Sequence, residues 1–573
     1  MTSIAQTLKD CEAQLCGPGA PYELEERLVN GQPMRHFKNA PNSMRELLDA
    51  GRQHGDAEFL VYAEPGQPEE RFSFNDFYRH VDALAYQLVA RFDLQKGQRV
   101  AIAMRNYPEW MMAYAAVVSL GAIVVPLNSW GTAEELEFVL RDSAADIVFV
   151  DERRRQALTP LLIDLPCKLI VARGQADEHA VDMAALIDEA SGKSMPQAWE
   201  FDADDPVQIM YSSGTSGKPK GALSTHRNIT QALFSFECQA ICAAMANPAA
   251  IEKMFAAGNA PCSLLSVPLF HVSGCYAAFL VNLRGGRKIV MTYKWDAREA
   301  LRLIEQETVT VFSASPSMVI DLMQHPDYDK FDTSSLFSVG GGGSACPPAF
   351  KRVIDQRLES AFVGTGYGMT ESNAIGSSCA GGAYEEQPGS AGTLSPLVDF
   401  KTCDEDGNDL PKGEKGEIWL RSVTNIQSYW HRPEANASAF KDGWMITGDI
   451  GYIDDNGFVF LADRAKDLII RGGENIYPAE IERVLLADPR IIDAAVVRRP
   501  DPKWGEIPVA FVAARDPALT EAAVIELCRA AIARYKAPRA VRFVAEAELP
   551  RSATGKIKRH ELEARLAAES ATA

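Results

Sequence analysis

The 573-residue chain has no Cys-x-x-Cys pair, and none of its eleven scattered cysteines has a histidine at zinc spacing. Neither a disulfide framework nor a structural zinc site is implied, and a reducing cytoplasmic setting fits best. Basic charge is also short: 58 Lys and Arg against 77 Asp and Glu leave a formal charge of −19. That weighs against binding a nucleic-acid backbone, which depends on basic clusters, so an anionic ligand has to be caught locally. Uninterrupted apolar runs are missing as well. The most apolar stretch, Met111 to Leu127, is broken by Ser119, Gly121 and Pro126 and reads as a buried helix entering the strand AIVVPL, not as a membrane span. The opening MTSIAQTLKDCEAQL carries acidic residues and no apolar core, unlike a secretory signal. There is no internal repeat, low-complexity tract or Ser/Gly-rich linker. What remains is 47% hydrophobic and 24% charged, the composition of a water-soluble globular protein large enough for several domains.

Asn30-Gly31 between two strand-like runs predicts a hairpin with a type I′ turn. Apolar strands then alternate with helical patterns: RVAIAM, the helix around EWMMAYAAVVSL, AIVVPL, the helix EELEFVLRDSA and DIVFVD. This alternation predicts an α/β fold whose large N-terminal domain holds mostly parallel sheets covered by helices. Near residue 400 shorter strands with Gly-Asn, Asp-Asn-Gly and Pro-Lys-Gly turns predict an antiparallel, β-barrel-like subdomain. From about 467 to 573 a strand, helix, two strands, helix, strand and helix predict a small α+β C-terminal domain. The boundary is placed at residues 464–466, leaving 1–463 as the N-terminal domain.

The densest chemical signal is Tyr211-Ser-Ser-Gly-Thr-Ser-Gly-Lys-Pro-Lys-Gly221. Unhindered backbone N–H groups, hydroxyls and mobile cations in one run suit a polyphosphate. The spacing is not that of a Walker loop, because only two residues separate the first glycine of Gly-x-x-Gly-Lys from the second, and Pro219 follows Lys218. With this loop the sequence resembles the adenylate-forming superfamily of acyl-CoA synthetases, aryl-CoA ligases, luciferases and peptide-synthetase adenylation domains. PLFHVSG (268–274), GYGMTES (366–372), TGD (447–449), DRAKDLIIRGGENIYP (463–478) and PRSATGKIKR (550–559) follow in family order.

The resemblance implies ATP as a substrate, with its phosphates on Thr215, Ser216, Gly217 and Lys218. Ser344 and Ala345 in SVGGGGSACPP would border adenine, and Gly342 and Gly343 would floor the acyl pocket. Gly366, Tyr367 and Gly368 fall to the nucleotide, Tyr367 offering a face to adenine. Thr370 and Glu371, two hard oxygen donors, fall to Mg2+ and ATP. Asp449 suits a ribose diol, and Arg464 ribose and phosphate oxygens. Lys466 takes the hinge position, and Gly472 and Gly473 lie beside the path of coenzyme A. Lys556 is the expected catalytic residue, a cation bridging the carboxylate and the α-phosphate; Lys558 and Arg559 read equally well as solubilising charges. His271 is expected at the mouth of the acyl pocket as a gate or positioning group, with no metal role.

Together these imply adenylation of a carboxylic acid followed by transfer to coenzyme A, the small domain rotating between the steps. A medium or long fatty acid and a cyclic or aromatic acid both fit. Loading of a separate carrier protein is the alternative, distinguished by dependence on CoA; a luciferase-like oxygenase shares the motifs and differs in light emission. Loss of Lys556 or of the magnesium residues would mark a non-catalytic binder, and all are present. YWHRPEA (429–435), with His431 where asparagine is frequent in the family, is read as lying apart from the ATP motifs. A homodimer is the default should the chain self-associate.

Overall fold

Asn30 and Gly31 turn the expected hairpin with φ of 51° and 77°, the left-handed backbone a type I′ turn needs, and join Leu24–Val29 to Gln32–Phe37. The computed structural model describes residues 3–161, 165, 167–197, 199–212, 219–342, 346–358, 361–471, 474–552 and 555–572. Beyond this hairpin, they form an eight-stranded, a fourteen-stranded and a five-stranded sheet.

In the eight-stranded sheet Ile123–Pro126, Arg99–Ala103, Ile147–Asp151, Lys168–Ala172 and Ala180–Asp182 run parallel. Pro206–Ser212 joins them in parallel and turns back into an antiparallel pairing with Lys220–Thr225. The strand Ile147–Asp151 is buried at every position, as continuous apolar strands are when helices cover both faces. The fourteen-stranded sheet has a parallel run through Lys288–Thr292, Cys262–Leu265, Val311–Ala314, Ser338–Gly341 and Phe362–Tyr367. The antiparallel strands anticipated after residue 400 extend this same sheet. Gly392–Leu394 makes the junction, pairing with Ser377–Ala380 on one side and Phe458–Arg464 on the other.

The helix Pro108–Ser119 accounts for the apolar stretch, and every residue in it except Glu109 is buried. Trp110 stacks on Tyr114 at 5.4 Å, and Tyr114 meets Phe279 edge-on at 6.0 Å. Among the described residues no single helix is long and apolar enough to cross a membrane.

The C-terminal segment follows the anticipated order with one strand added, Glu474–Ile476, which pairs back on Ile469–Arg471: after these come helix Pro478–Leu486, strands Ile491–Asp501 and Gly505–Ala514, helix Glu521–Ala531, strand Ala540–Phe543 and helix Arg559–Thr572. Arg559, read as a surface charge, is instead a junction. Its guanidinium bonds both carboxylate oxygens of Glu482 at 2.8 Å, the carbonyl of Val496 at 3.2 Å and Asp467 at 3.3 Å. These carboxylates hold the guanidinium charged against its burial. Lys558 matches the earlier reading, pairing with Glu561 one turn on.

Truncating the fully buried Trp110 to alanine should cost about 3–5 kcal/mol. Scanning calorimetry of Trp110→Ala should therefore show a lower melting temperature, while an exposed substitution such as Leu28→Ala leaves it unchanged.

Candidate active site

Ser338–Gly341 and Phe362–Tyr367 are parallel neighbours with Gly341 opposite Thr365, so Gly342 leaves the sheet beside Gly366, while Gly366 and Tyr367 stay paired with Ser378 and Ser377 and Gly368 follows the strand's end. This is the carboxyl end of the strands, where open α/β sheets bind ligands. At Gly368 a Cβ would stand 2.2 Å from the carbonyl oxygen of Ala374, so no larger residue fits. At Gly342 a Cβ would meet nothing within 4 Å, so this glycine borders open space. Gly343, Ser344 and Ala345 lie outside the described residues.

Past Gly368 the chain makes a single 3-10 turn, Thr370–Ser372, and leaves it through Asn373 in the left-handed region at φ 49°. Asparagine tolerates that conformation when its amide is held. The Asn373 carbonyl oxygen accepts the hydroxyls of Ser224 (3.0 Å) and Tyr276 (2.9 Å), and its amide donates to the carbonyl of Thr424 (2.8 Å). The turn thereby fixes Glu371, whose Oε1 accepts the hydroxyls of Ser212 at 3.1 Å and Tyr429 at 2.9 Å.

Tyr429 belongs to YWHRPEA, so that segment does touch the nucleotide motifs and the earlier reading is corrected. Ser428–Tyr429 is an edge strand against Lys220–Thr225, which brings the distant sequence to the turn, and Lys220 lies over the Tyr429 ring at 5.2 Å. Residue spacing carried no signal for this contact, which depends on strand order. Pro206–Ser212 and Lys220–Thr225, which flank the run expected to hold phosphate, pair antiparallel with Ser212 opposite Lys220. A Walker loop opens directly into a helix; here a strand intervenes before the helix His226–Met245. Thr215, Ser216, Gly217 and Lys218 lie outside the described residues.

Tyr367 is mainly a wall of the site. Its ring is 8% exposed and packs with Ile375, Val398 and Ile418, while its hydroxyl donates to Asp449 Oδ2 at 2.8 Å. Asp449 Oδ1 faces Arg464 Nε at 3.2 Å, because the two residues are register partners in adjacent antiparallel strands. Lys466 lies in the next turn, Ala465–Asp467. Burial lowers the Lys466 ammonium below the ordinary lysine value, with Arg464 and Arg559 adding to the effect and Asp467 opposing it.

Lys556 reaches the same place from the C-terminal segment. A Cβ on the adjoining Gly555 would lie 3.7 Å from Ser315 and Ser317, so its loop rests on the start of the helix Pro316–Met323. The lysine is open to solvent but walled in by protein. Desolvation pulls its ammonium down and Arg464 and Lys466 pull it further, against the carboxylates of Asp449 and Glu371. His271 faces it. Burial first, and the Lys556 cation second, lower the imidazole to about 4, so it is neutral at physiological pH. The ring rests on Phe270 at 4.6 Å, and the His271 carbonyl accepts the N–H groups of Gly274 and Cys275 as the chain enters the π-helix Ser273–Leu280. Gly472 and Gly473 lie outside the described residues. Lys556 thus senses the charges of Arg464, Lys466, Asp449 and Glu371, and His271 senses that of Lys556, so five stretches of sequence come within electrostatic reach of this one lysine.

Residues 47–430 match the model of the AMP-binding enzyme family, and residues 480–556 match that of the AMP-binding enzyme C-terminal domain. The chain belongs to the AMP-binding enzyme family. This AMP-binding enzyme is 34% identical over 491 residues to the long-chain-fatty-acid–CoA ligase FadD13 of Mycobacterium tuberculosis (strain ATCC 25618 / H37Rv), covering 84% of this chain and 91% of that protein. It is 32% identical over 512 residues to 4-coumarate–CoA ligase 5 of Oryza sativa subsp. japonica, covering 88% and 91%. Its fold matches o-succinylbenzoate CoA synthetase (MenE) from Bacillus subtilis in complex with the acyl-adenylate intermediate OSB-AMP. That match has a TM-score of 0.72 and 28% identity, covering 90% of this chain and 97% of that one.

Removing a hydrogen bond to a charged group costs about 1.5–3 kcal/mol, or roughly tenfold or more in affinity. Tyr367→Phe frees one side of Asp449 and should weaken ATP binding by about that factor, measured by equilibrium titration with ATP alone.

Proposed function

We propose that this AMP-binding enzyme is an ATP-dependent acyl-CoA ligase with Lys556 as its adenylation residue. The observation that carries the reading is the convergence of Lys556, Arg464 and Lys466 on the cleft that holds Asp449 and Glu371. A carboxylate oxygen of the acid attacks the α-phosphorus of ATP, the bond to the bridging oxygen breaks, and pyrophosphate leaves. Two anions meet in that step. The Lys556 ammonium lies between them and stabilises the charge that grows on the α-phosphate oxygens. Coenzyme A sulfur then attacks the acyl carbonyl, the thiol proton is lost and AMP departs.

Asp449 accepts the ribose hydroxyls, and Arg464 donates to ribose and phosphate oxygens from the far side of the carboxylate. Gly366 and Gly368 expose backbone beside the Tyr367 wall, where the adenine lies, with Ser344 and Ala345 at its edge. Thr215, Ser216, Gly217 and Lys218 cradle the β- and γ-phosphates. Neutral His271 borders the acyl pocket with Gly342 and Gly343 and positions the carboxylate without adding charge. Thr370 and Glu371 are hard oxygen donors suited to Mg2+, which takes one or two carboxylates and completes its shell with water and phosphate. A lone carboxylate fits that habit, and bound there the ion neutralises phosphate charge.

Residues 1–463 and 467–573 act as two bodies about a hinge at 464–466, with Lys466 at the pivot and Gly472 and Gly473 turned toward coenzyme A in the second step. The acid is a medium- or long-chain fatty acid or a cyclic or aromatic acid; the relatives are named for a long-chain fatty acid, 4-coumarate and 2-succinylbenzoate. A cytoplasmic location belongs to the same reading.

The deciding experiment is ATP-dependent pyrophosphate release over fatty, aryl and cyclic acids, with and without CoA and magnesium. Formation of a thioester that requires CoA is expected; pyrophosphate release indifferent to CoA would favour loading of a carrier protein. Lys556→Ala should abolish adenylation and spare thioester formation from preformed acyl-adenylate, and equal loss of both steps would remove the role given to Lys556. The protonated amine is the active form and its pKa lies below 10.5, so adenylation should fall as pH rises through that lowered value. In Lys556→Arg, whose cation persists, the residual rate should lack this alkaline limb.

A further inference from the structure

Four of the eleven cysteines gather where the first helix meets the scaffold of the site. Cys11 and Cys16 lie on Ile4–Cys16, Cys238 and Cys242 on His226–Met245. The two helices pack together over a cluster that contains Tyr22, Phe37 and Phe234. The sulfur of Cys16 is 3.7 Å from that of Cys238. Among the described residues no group of three or more ligating side chains is arranged to hold a metal ion, so this is not a metal centre.

The members of the pair are unequal. Cys238 is fully buried, and Cys11 and Cys242 are each 8% exposed, whereas Cys16, at the end of its helix, is only partly covered. The hydrogen bond shared by the two thiols lowers the Cys16 pKa, outweighing burial and Glu12. The same bond, with Cys242 and burial, raises the Cys238 thiol. One cysteine is thus reachable from solvent, and a buried partner waits 3.7 Å behind it. This is the arrangement in which an oxidised sulfur is captured by a neighbour before it reacts further.

We propose that Cys16 and Cys238 form a peroxide-oxidised disulfide site that fastens the first helix to the helix His226–Met245. The Cys16 sulfur attacks the distal oxygen of a hydroperoxide, the O–O bond breaks, and an alcohol, or water from hydrogen peroxide, leaves a sulfenic acid. The Cys238 sulfur attacks that sulfenic sulfur, its proton leaves with the hydroxyl as water, and the S–S bond forms. Two thiols are oxidised and one peroxide is reduced. The sulfurs close from 3.7 Å to about 2.05 Å as the bond forms. The bond would reach the scaffold of the site, because His226–Met245 starts at Thr225, the last residue of the strand that carries Lys220 and Ser224. The other end of the first helix is already seated: Ile4 lies close against Gly382.

The test exposes the intact protein to hydrogen peroxide, alkylates remaining thiols in denaturant and maps unreduced peptides by mass spectrometry. The expected result is a Cys16–Cys238 cross-link, a loss of two alkylatable thiols, reversal by dithiothreitol and a higher melting temperature than the reduced protein. The Cys16→Ser protein should form no link to Cys238. Cys16 recovered as sulfinate beside an alkylated Cys238, both thiols unchanged, or Cys238 linked to Cys242 instead would each overturn the proposal. The wild-type map decides the matter even if the variant folds poorly.

Discussion

The carboxylate of Asp449 is the interaction on which the site depends. It is 9% exposed and is held from one side by the Tyr367 hydroxyl and from the other by Arg464. A buried charge deprived of its partner costs about 3–5 kcal/mol, so these three residues constrain one another's positions. Tyr367 ends a strand of the parallel run, while Asp449 and Arg464 are opposed in the antiparallel extension. One carboxylate therefore joins the two textures of the sheet where the chain turns toward its C-terminal segment.

Around that anion a chain with a formal charge of −19 concentrates three cations, Arg464, Lys466 and Lys556. A diffuse positive field is unnecessary when the cations are gathered at one place, even with Lys466 and Lys556 open to solvent and the Arg464 side chain 40% exposed. Burial first, and neighbouring cations after it, destabilise the charged forms of Lys466 and Lys556 and keep His271 neutral. An incoming polyphosphate relieves that repulsion.

Much of the architecture was legible from pattern. Asn30-Gly31, the apolar strands and the helix Pro108–Ser119 are local features, set by turn chemistry and by which side chains face water. Tyr367, Asp449, Arg464 and Lys556 were singled out from motifs, and they do meet. The contacts that hold them were not legible. Tyr429 reaches Glu371 only because its short strand lies beside Lys220–Thr225, and Tyr276 reaches Asn373 from a π-helix. Arg559 looked like a solvated charge because composition cannot reveal three acceptors that converge from a helix, a strand and a turn. Such contacts depend on strand order and packing between distant segments, which periodicity in one segment does not encode.

The clamp on Arg559 also has a mechanical meaning. Asp467, the residue directly after the proposed pivot, is tied through this guanidinium to Glu482 and Val496, so the pivot's downstream side has no slack. Any swing of the C-terminal body is then confined to backbone torsions at residues 464–466, as with a short, stiff axle. A stiff axle carries a load along a single arc, so under the proposed rotation Lys556, riding on the same body, would leave and re-enter its place along one path.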